Sequence, residues 1–198
     1  MIRAGRKDKS TPIVVNSRKR YYQILRTRTH FQFFRSILIG VSVGTLALMF
    51  QYFLWYGETF RAELLSWFQS ESLWFFPVVL FSITTIAALV GWLTAKISPE
   101  AAGSGIPHVK EVLEQNGSIN WKRVIPVKFI GGILAIGSGF ALGREGPTVQ
   151  MGAATGSAIS DLLKSSRREK DHLIACGAGA GLAAAFNAPL AGFIFVIE

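Results

Sequence analysis

The sequence predicts an all-α membrane protein, because it combines high hydropathy, long uncharged runs and a one-sided distribution of charge. Half of the 198 residues are hydrophobic, and the mean hydropathy of +0.36 lies toward the membrane end of the range. Residues 1–35 carry ten Lys or Arg against one acid, whereas residues 36–198 carry eleven of each sign. The net charge of +9 therefore lies ahead of the first apolar run.

Two uncharged runs predict two ordinary transmembrane helices. The first, residues 36–57, has 22 residues, and at ~1.5 Å per residue it spans roughly 33 Å, enough for a hydrocarbon core of about 30 Å. It ends in Tyr52, Trp55 and Tyr56, which are placed like an interfacial aromatic belt. The second, residues 72–95, has 24 residues, and the loop between the two runs is net negative.

The basic N-terminal segment predicts the orientation. Cytoplasmic flanks of membrane helices are enriched in Lys and Arg, so we expect a cytoplasmic arm over 1–33 and a membrane portion over 34–198. The length of the chain and the lack of a cytosolic domain before the first span favour a plasma (inner) membrane. Anionic lipid headgroups are the expected partner of the arm, because it directly precedes a span. A soluble nucleic-acid binder, which so basic a composition would otherwise suggest, is the weakest alternative.

The C-terminal half has the pattern of discontinuous membrane helices. Sixteen of the twenty glycines lie at or beyond Gly91, and the uncharged runs 129–143 and 146–160 shorten to 15 residues each. A helix of that length covers only ~22 Å, too short to cross upright. Short apolar segments broken by Gly and Pro are typical of membrane helices that stop at a site within the bilayer. Small residues in the later runs should let neighbouring helices approach closely.

The segment Gly103-Ser104-Gly105-Ile106-Pro107 is a candidate anion site. The two glycines let the backbone turn so that its amides face inward, the serine adds a hydroxyl donor, and we place Pro107 at a first helical position. Helix N-termini and unpaired N–H groups carry partial charges of about half a unit, which attract an anion without trapping it. An ordinary turn between two helices is the alternative.

The segment Gly143-Arg144-Glu145-Gly146-Pro147 places two charges between two apolar runs. An ionisable residue inside a membrane is costly and indicates function. We expect a helix that starts at Pro147, with Glu145 at its entrance, where the carboxylate can occupy the pocket that an anion would take. Deprotonated, it would compete with the anion; protonated, it would leave, so one side chain serves as gate and proton carrier. Arg144 would anchor the loop or add positive potential. A surface pair of Arg144 with Glu145 is the alternative.

A third segment, residues 181–192, should end one helix and start another. We expect Asn187 as an N-cap and Pro189 near the first helical turn. A packed corner between two helices and a direct role in the site are equally good interpretations. The three histidines are too scattered to suggest a metal site, and we expect a transporter rather than an enzyme.

The three segments GSGIP, GREGPTVQMG and GLAAAFNAPLAG resemble, in order and spacing, the signature motifs of the CLC family of chloride channels and proton/chloride antiporters. The resemblance covers roughly residues 33–198. It implies a bundle of tilted and discontinuous transmembrane helices, of which this chain is the first part of an inverted repeat. It further implies chloride and protons as transported ions, no cofactor or metal, and a homodimer for the complete protein.

Carried over by residue, the resemblance assigns chloride binding to Ser104 through its hydroxyl and to the backbone of Gly105, Ile106 and Gly146. Gly103, Pro107 and Arg144 support the two turns. Glu145 matches the gating glutamate of the family, and Glu198 matches the first acid of a pair whose second member relays protons in coupled members. The serine of GSGIP resembles the chloride-preferring branch, and the two motifs together differ from those of the fluoride-exporting branch.

The expected function is therefore proton-coupled chloride antiport with Glu145 as gate and proton carrier. Two alternatives stay open. A passive voltage-gated chloride channel would be favoured by a residue 199 that cannot ionise, and a non-transporting membrane fragment or assembly partner would bind no chloride. The chain stops inside an apolar helical run, 196–198, without a cap, so we expect a truncated sequence.

Overall fold

In the computed structural model the chain is helical, and residues 12–68, 75–114 and 117–197 are described. These ranges contain seven α-helices, one short 3-10 helix and no strand, which confirms the predicted all-α class. The bounds are α1 Pro12–Phe68, α2 Phe75–Ile97, the 3-10 helix Pro99–Ala101, α3 Ile106–Glu114, α4 Trp121–Gly137, α5 Glu145–Leu162, α6 Arg167–Phe186 and α7 Pro189–Ile197.

The chain consists of two units, Met1–Ile37 and Leu38–Glu198. The first unit contains the basic N-terminal segment, of which residues 1–11 lie outside the described part. The second unit contains the rest of α1 and all later helices, and it includes the three sequence motifs.

Within the described residues two helices are long and apolar enough to cross a membrane, as predicted. The stretches are Gln32–Trp67 within α1 and Phe75–Ile97, which is α2. No residue of α2 is buried, and its side chains include Phe81, 75% exposed, and Phe76, 77% exposed. A continuous apolar surface of this kind suits contact with lipid rather than water.

Helix α5 is the centre of the packed core. Almost every residue from Gly146 to Ser160 is buried. Gly152 lies against the backbone carbonyl of Gly177, and Gly156 against that of Leu173, so an added Cβ at either glycine would overlap the backbone of α6. The two helices are therefore in direct backbone contact, which is the role expected of small residues in membrane helices.

The break between α6 and α7 differs from the prediction. Asn187 is not an N-cap: it is the C-cap of α6, with a φ of 52° in the left-handed region. Asparagine is one of the few non-glycine residues that adopt this conformation at low cost. Pro189 is the first residue of α7, in agreement with its expected place in the first turn. Gln51 of α1 donates to the carbonyl of Ala184 at 3.0 Å and so satisfies the last turn of α6.

Candidate functional site

The first glycine motif forms a tight turn between the 3-10 helix and α3. Gly103 has a φ of +64° and Gly105 a φ of +82°, a region that side chains disfavour. Helix α3 then begins at Ile106, so Pro107 is its second residue rather than its first. The proline is still accommodated, because the N–H groups of a first helical turn have no partner in the helix.

The start of α3 presents unpaired backbone donors. Within the described ranges, the N–H groups of Ser104, Gly105 and Ile106 donate to no backbone oxygen, whereas Val109 donates to Gly105 at 3.1 Å and so begins the helical pattern. Unpaired N–H groups at a helix start form a concentration of positive partial charge. The glycine–serine turn thus supplies unpaired donors, and their role in binding an anion stays a prediction.

The second motif forms the start of α5. The helix begins at Glu145 itself, two residues before the predicted start at Pro147, with Arg144 in the N-cap position. The backbone N–H of Thr148 donates to the carbonyl of Arg144 at 3.3 Å, whereas the N–H groups of Glu145 and Gly146 donate to no backbone oxygen of a described residue. In the described part of the chain no ion pair joins Arg144 to Glu145, so the surface-pair alternative is not what the structure contains.

The two motifs are in direct contact. Gly146 lies against the backbone of Ser104, and an added Cβ there would overlap the Ser104 carbonyl oxygen. The starts of α3 and α5 therefore converge. The carboxylate of Glu145 folds back over its own loop, since an added Cβ on Gly143 would overlap Oε2 of Glu145.

A cavity of about 790 Å³ lies where the two helix starts meet. Its walls are mainly apolar and include residues of α2 and α4, and the charged residues among those that line it are Lys128 and Glu145. Among the predicted site residues, Gly105, Pro107 and Arg144 do not line it. Those that do are Gly103, Ser104, Ile106, Glu145 and Gly146.

Lys128 was not singled out by the sequence reasoning. It is 6% exposed, and its Nζ donates to the carbonyl oxygens of Ala101 at 2.8 Å and Gly103 at 2.7 Å. The available signal was a charge followed directly by a 15-residue apolar run, the same signal that identified Arg144 and Glu145.

Gln150 was also missed. Its side chain is fully buried on α5; its Nε2 donates to the carbonyl of Glu100 at 2.7 Å and lies 3.2 Å from Nδ1 of His108. It fills the space beneath Gly105, where an added Cβ would overlap it. The sequence signal was a long polar side chain within a run of small and apolar residues.

Two further predictions concern metals and the C-terminal acid. Among the described residues no group of three or more His, Cys, Asp or Glu could hold a metal ion. Glu198, predicted as an acid on a proton path, lies outside the described residues.

Comparison with known proteins identifies relatives for most of the chain. The H(+)/Cl(-) exchange transporter ClcA of Vibrio cholerae is 46% identical over 169 residues, which are 83% of this chain and 36% of the relative. The transporter of the same name from Salmonella schwarzengrund is 41% identical over 167 residues, with 83% and 35% covered. The chain thus spans about a third of the length of these curated relatives.

Solved structures share the fold. The X-ray structure of a slow cyanobacterial Cl-/H+ antiporter matches with a TM-score of 0.78 and 36% identity, over 81% of this chain and 38% of that one. A CLC-type fluoride/proton antiporter matches with a TM-score of 0.70 and 27% identity, over 86% and 40%. The family model for the voltage gated chloride channel matches residues 86–198, more than half of the chain. This protein therefore belongs to the CLC family of integral membrane transport proteins.

Proposed function

We propose that this chain provides the anion site and the gate of a proton-coupled chloride antiporter. Chloride is bound by Ser104, Gly105, Ile106 and Gly146, and Glu145 is the gate and proton carrier. The observation that carries this proposal is the convergence of two helix starts, each with unpaired backbone N–H groups, on one cavity that the Glu145 side chain also lines.

The backbone N–H groups and the serine hydroxyl are neutral donors, which suit a halide that must be bound and then released. Each helix start contributes a partial positive charge of about half a unit, and the largely apolar walls of the cavity strengthen the attraction because they lower the local dielectric constant. A full cation in direct contact with chloride would hold it more tightly and slow its release. Ser104 lines the cavity, and its hydroxyl can add one neutral donor.

The position of Glu145 suits exchange of an anion for a proton. Its carboxylate sits on the first residue of α5, where the N–H groups that attract chloride also attract a carboxylate. A deprotonated Glu145 competes with chloride for these donors, and a protonated one does not. Entry of chloride is thereby linked to uptake of a proton on the same side chain.

The relatives favour coupled exchange over a passive channel. The Vibrio and Salmonella proteins are exchange transporters by name, and the cyanobacterial structure is that of an antiporter. The second solved structure exchanges fluoride, but the serine of GSGIP and the intact GREGP motif support chloride as the anion of this chain.

The remaining assignments complete the proposal. Arg144 adds positive potential beside the gate, and Glu198 lies on the proton path. The basic arm 1–33 is cytoplasmic and contacts anionic lipid of the plasma (inner) membrane. The transporting assembly is a homodimer in which this chain is joined by the remainder of a complete CLC membrane domain.

Two measurements test the function. The purified chain is titrated with chloride by calorimetry in detergent, where binding is expected and its absence would favour a non-transporting fragment. The chain is then reconstituted in liposomes with the complementary C-terminal part of the 46% identical Vibrio exchanger. We expect chloride efflux to drive proton uptake; chloride efflux with no proton movement would instead identify a passive channel.

A further inference from the structure

Two buried polar side chains hold the turn that leads into α3, one from each neighbouring helix. Lys128 of α4 donates to the carbonyl oxygens of Ala101 and Gly103. Gln150 of α5 donates to the carbonyl of Glu100, just before the turn. Both side chains are among the buried polar groups of the core, at 6% and 0% exposure. Burying such groups is costly unless they make hydrogen bonds, so their placement at one turn calls for a reason.

The Lys128 contacts fix the direction of an amide in the site. A peptide group is planar and trans, so its C=O and N–H point in opposite directions. Because the Gly103 carbonyl points at Nζ of Lys128, at 2.7 Å, the N–H of Ser104 in the same peptide group points away from it. The unpaired Ser104 donor thus has an orientation set by a residue on another helix.

The same contacts remove an unfavourable charge from the site. A carbonyl oxygen that faced the cavity would repel an anion through its negative partial charge. The Lys128 ammonium group donates two of its three N–H groups to the carbonyl oxygens of Ala101 and Gly103, so both oxygens are held at the lysine.

Gln150 braces the turn from the other side. Its Nε2 contacts Glu100 before the turn and His108 within α3, at 2.7 Å and 3.2 Å. Between these two points of attachment lies Gly105, whose φ of +82° and lack of a side chain leave the space that the Gln150 side chain fills. Replacement of Gln150 would therefore remove a contact before the turn, at Glu100, and a contact after it, at His108.

We propose that Lys128 and Gln150 are positioning residues for anion binding: together they hold residues 100–105 so that the N–H groups of Ser104 and Ile106, two residues that line the cavity, face the ion. The inference rests on the proposed chloride site. It predicts that chloride affinity and the preference for chloride over nitrate depend on two side chains that hold the backbone of the turn at residues 100–103.

Lys128→Met tests the first residue, because methionine keeps a long unbranched side chain and removes the charge. We expect chloride affinity of the chain to fall about tenfold and the preference for chloride over nitrate to shrink, since a misdirected amide no longer selects by geometry. Lys122→Met is the matched control: Lys122 is an exposed lysine on the same helix, and its replacement should leave both quantities unchanged.

Gln150→Leu tests the second residue by removing the amide while keeping the volume. A several-fold loss of chloride affinity is expected, again with a smaller preference over nitrate. Gln51→Leu is its control, since Gln51 makes one amide-to-carbonyl hydrogen bond to Ala184, away from the cavity. That variant should lose stability without a change of anion preference.

Measurements of folding distinguish a loss of positioning from a loss of the folded structure. Helix content and thermal unfolding are measured for each variant, and anion preference is read from folded protein only. Where Lys128→Met or Gln150→Leu does not fold, Lys128→Arg or Gln150→Asn is used, because each keeps donors but shifts them and should alter the preference. Unchanged affinity and preference in folded variants would overturn the inference while leaving the chloride site intact; failure of the unaltered chain to bind chloride would instead reject the proposed function.

Discussion

The two glycine motifs, residues 103–107 and 143–147, build similar helix starts and hold them in different ways. Both present unpaired N–H groups and both line one cavity. The first carries a neutral serine and is fastened by buried side chains from α4 and α5. The second carries the ionisable Glu145, and its described contact with the first motif is a close backbone approach at Gly146.

The difference suggests that the first motif binds the anion selectively and that the second motif gates its passage. Selective binding requires donors that are already oriented before the ion arrives, because ordering them afterwards costs affinity. Gating requires a group that changes its charge and its position. A braced turn without ionisable side chains suits the first task, and a helix start that carries a carboxylate suits the second.

The largest expected effect is loss of proton coupling in Glu145→Gln. Glutamine has nearly the shape of the protonated acid, so it should let chloride pass but carry no proton. In liposomes that contain the reconstituted assembly, we expect proton uptake to fall to background while chloride efflux continues. Glu111→Gln, which changes an exposed carboxylate on α3, should behave as the unaltered protein. Proton uptake that persisted in Glu145→Gln would show that the carrier is another group.

Gly146→Ala should break the contact between the motifs. The new Cβ would meet the backbone of Ser104, which cannot move aside as a flexible side chain could. We expect chloride affinity to fall at least tenfold and stability to drop by about 1–3 kcal/mol, as for overpacked cores. Gly40→Ala is the control, because nothing lies within 4 Å of that position and alanine is the better helix former by ~1 kcal/mol. Equal behaviour of the two variants would contradict the close approach.

Gly105→Ala and Gly103→Ala separate backbone strain from crowding. Both positions have positive φ, at +82° and +64°, but only an alanine at 105 would meet Gln150. The strain alone costs roughly 1–2 kcal/mol, so Gly103→Ala should lower the thermal unfolding midpoint modestly and Gly105→Ala clearly more. A similar decrease in both variants would mean that Gln150 does not brace the turn.

Ser104→Ala should have the smallest effect. The hydroxyl is one neutral donor among several backbone donors, and a hydrogen bond of this kind contributes about 0.5–1.5 kcal/mol. We expect chloride affinity from calorimetry to weaken about threefold to tenfold with thermal stability unchanged. Complete loss of binding would place the hydroxyl, rather than the amides, at the centre of the site.

Much of the fold could be predicted because lipid imposes simple rules. Two uncharged runs of 22 and 24 residues correspond to the two described stretches, in α1 and α2, that are long and apolar enough to cross a membrane. Small residues in the later runs indicated the close packing seen between Gly152 and Gly177. Both features depend on the composition of a short stretch of sequence, so they can be recognised without knowledge of contacts between distant residues.

Helix boundaries were less predictable, because the same residues are compatible with more than one position. Proline is tolerated throughout a first helical turn, so Pro147 could not show that α5 begins two residues earlier, at Glu145. Asparagine suits both an N-cap and a left-handed C-cap. At Asn187 the second applies, and nothing in the neighbouring sequence decides between them.

The bracing residues could not be predicted, because their partners are distant in sequence. Lys128 bonds to Gly103, 25 residues away, and Gln150 to Glu100, 50 residues away. Hydropathy marks Lys128 as a costly intramembrane charge, but only the folded chain shows which carbonyl groups it meets.

The central claim is that uncharged main-chain donors, and not a cation, hold the halide. Bromide scatters anomalously and replaces chloride, so crystals of the protein grown with bromide locate the ion directly. The account predicts a peak at hydrogen-bond distance from the N–H groups of Ser104, Gly105 or Ile106, and out of contact with Nζ of Lys128. A peak against Lys128, or no peak beside these amides at saturating bromide, would contradict it.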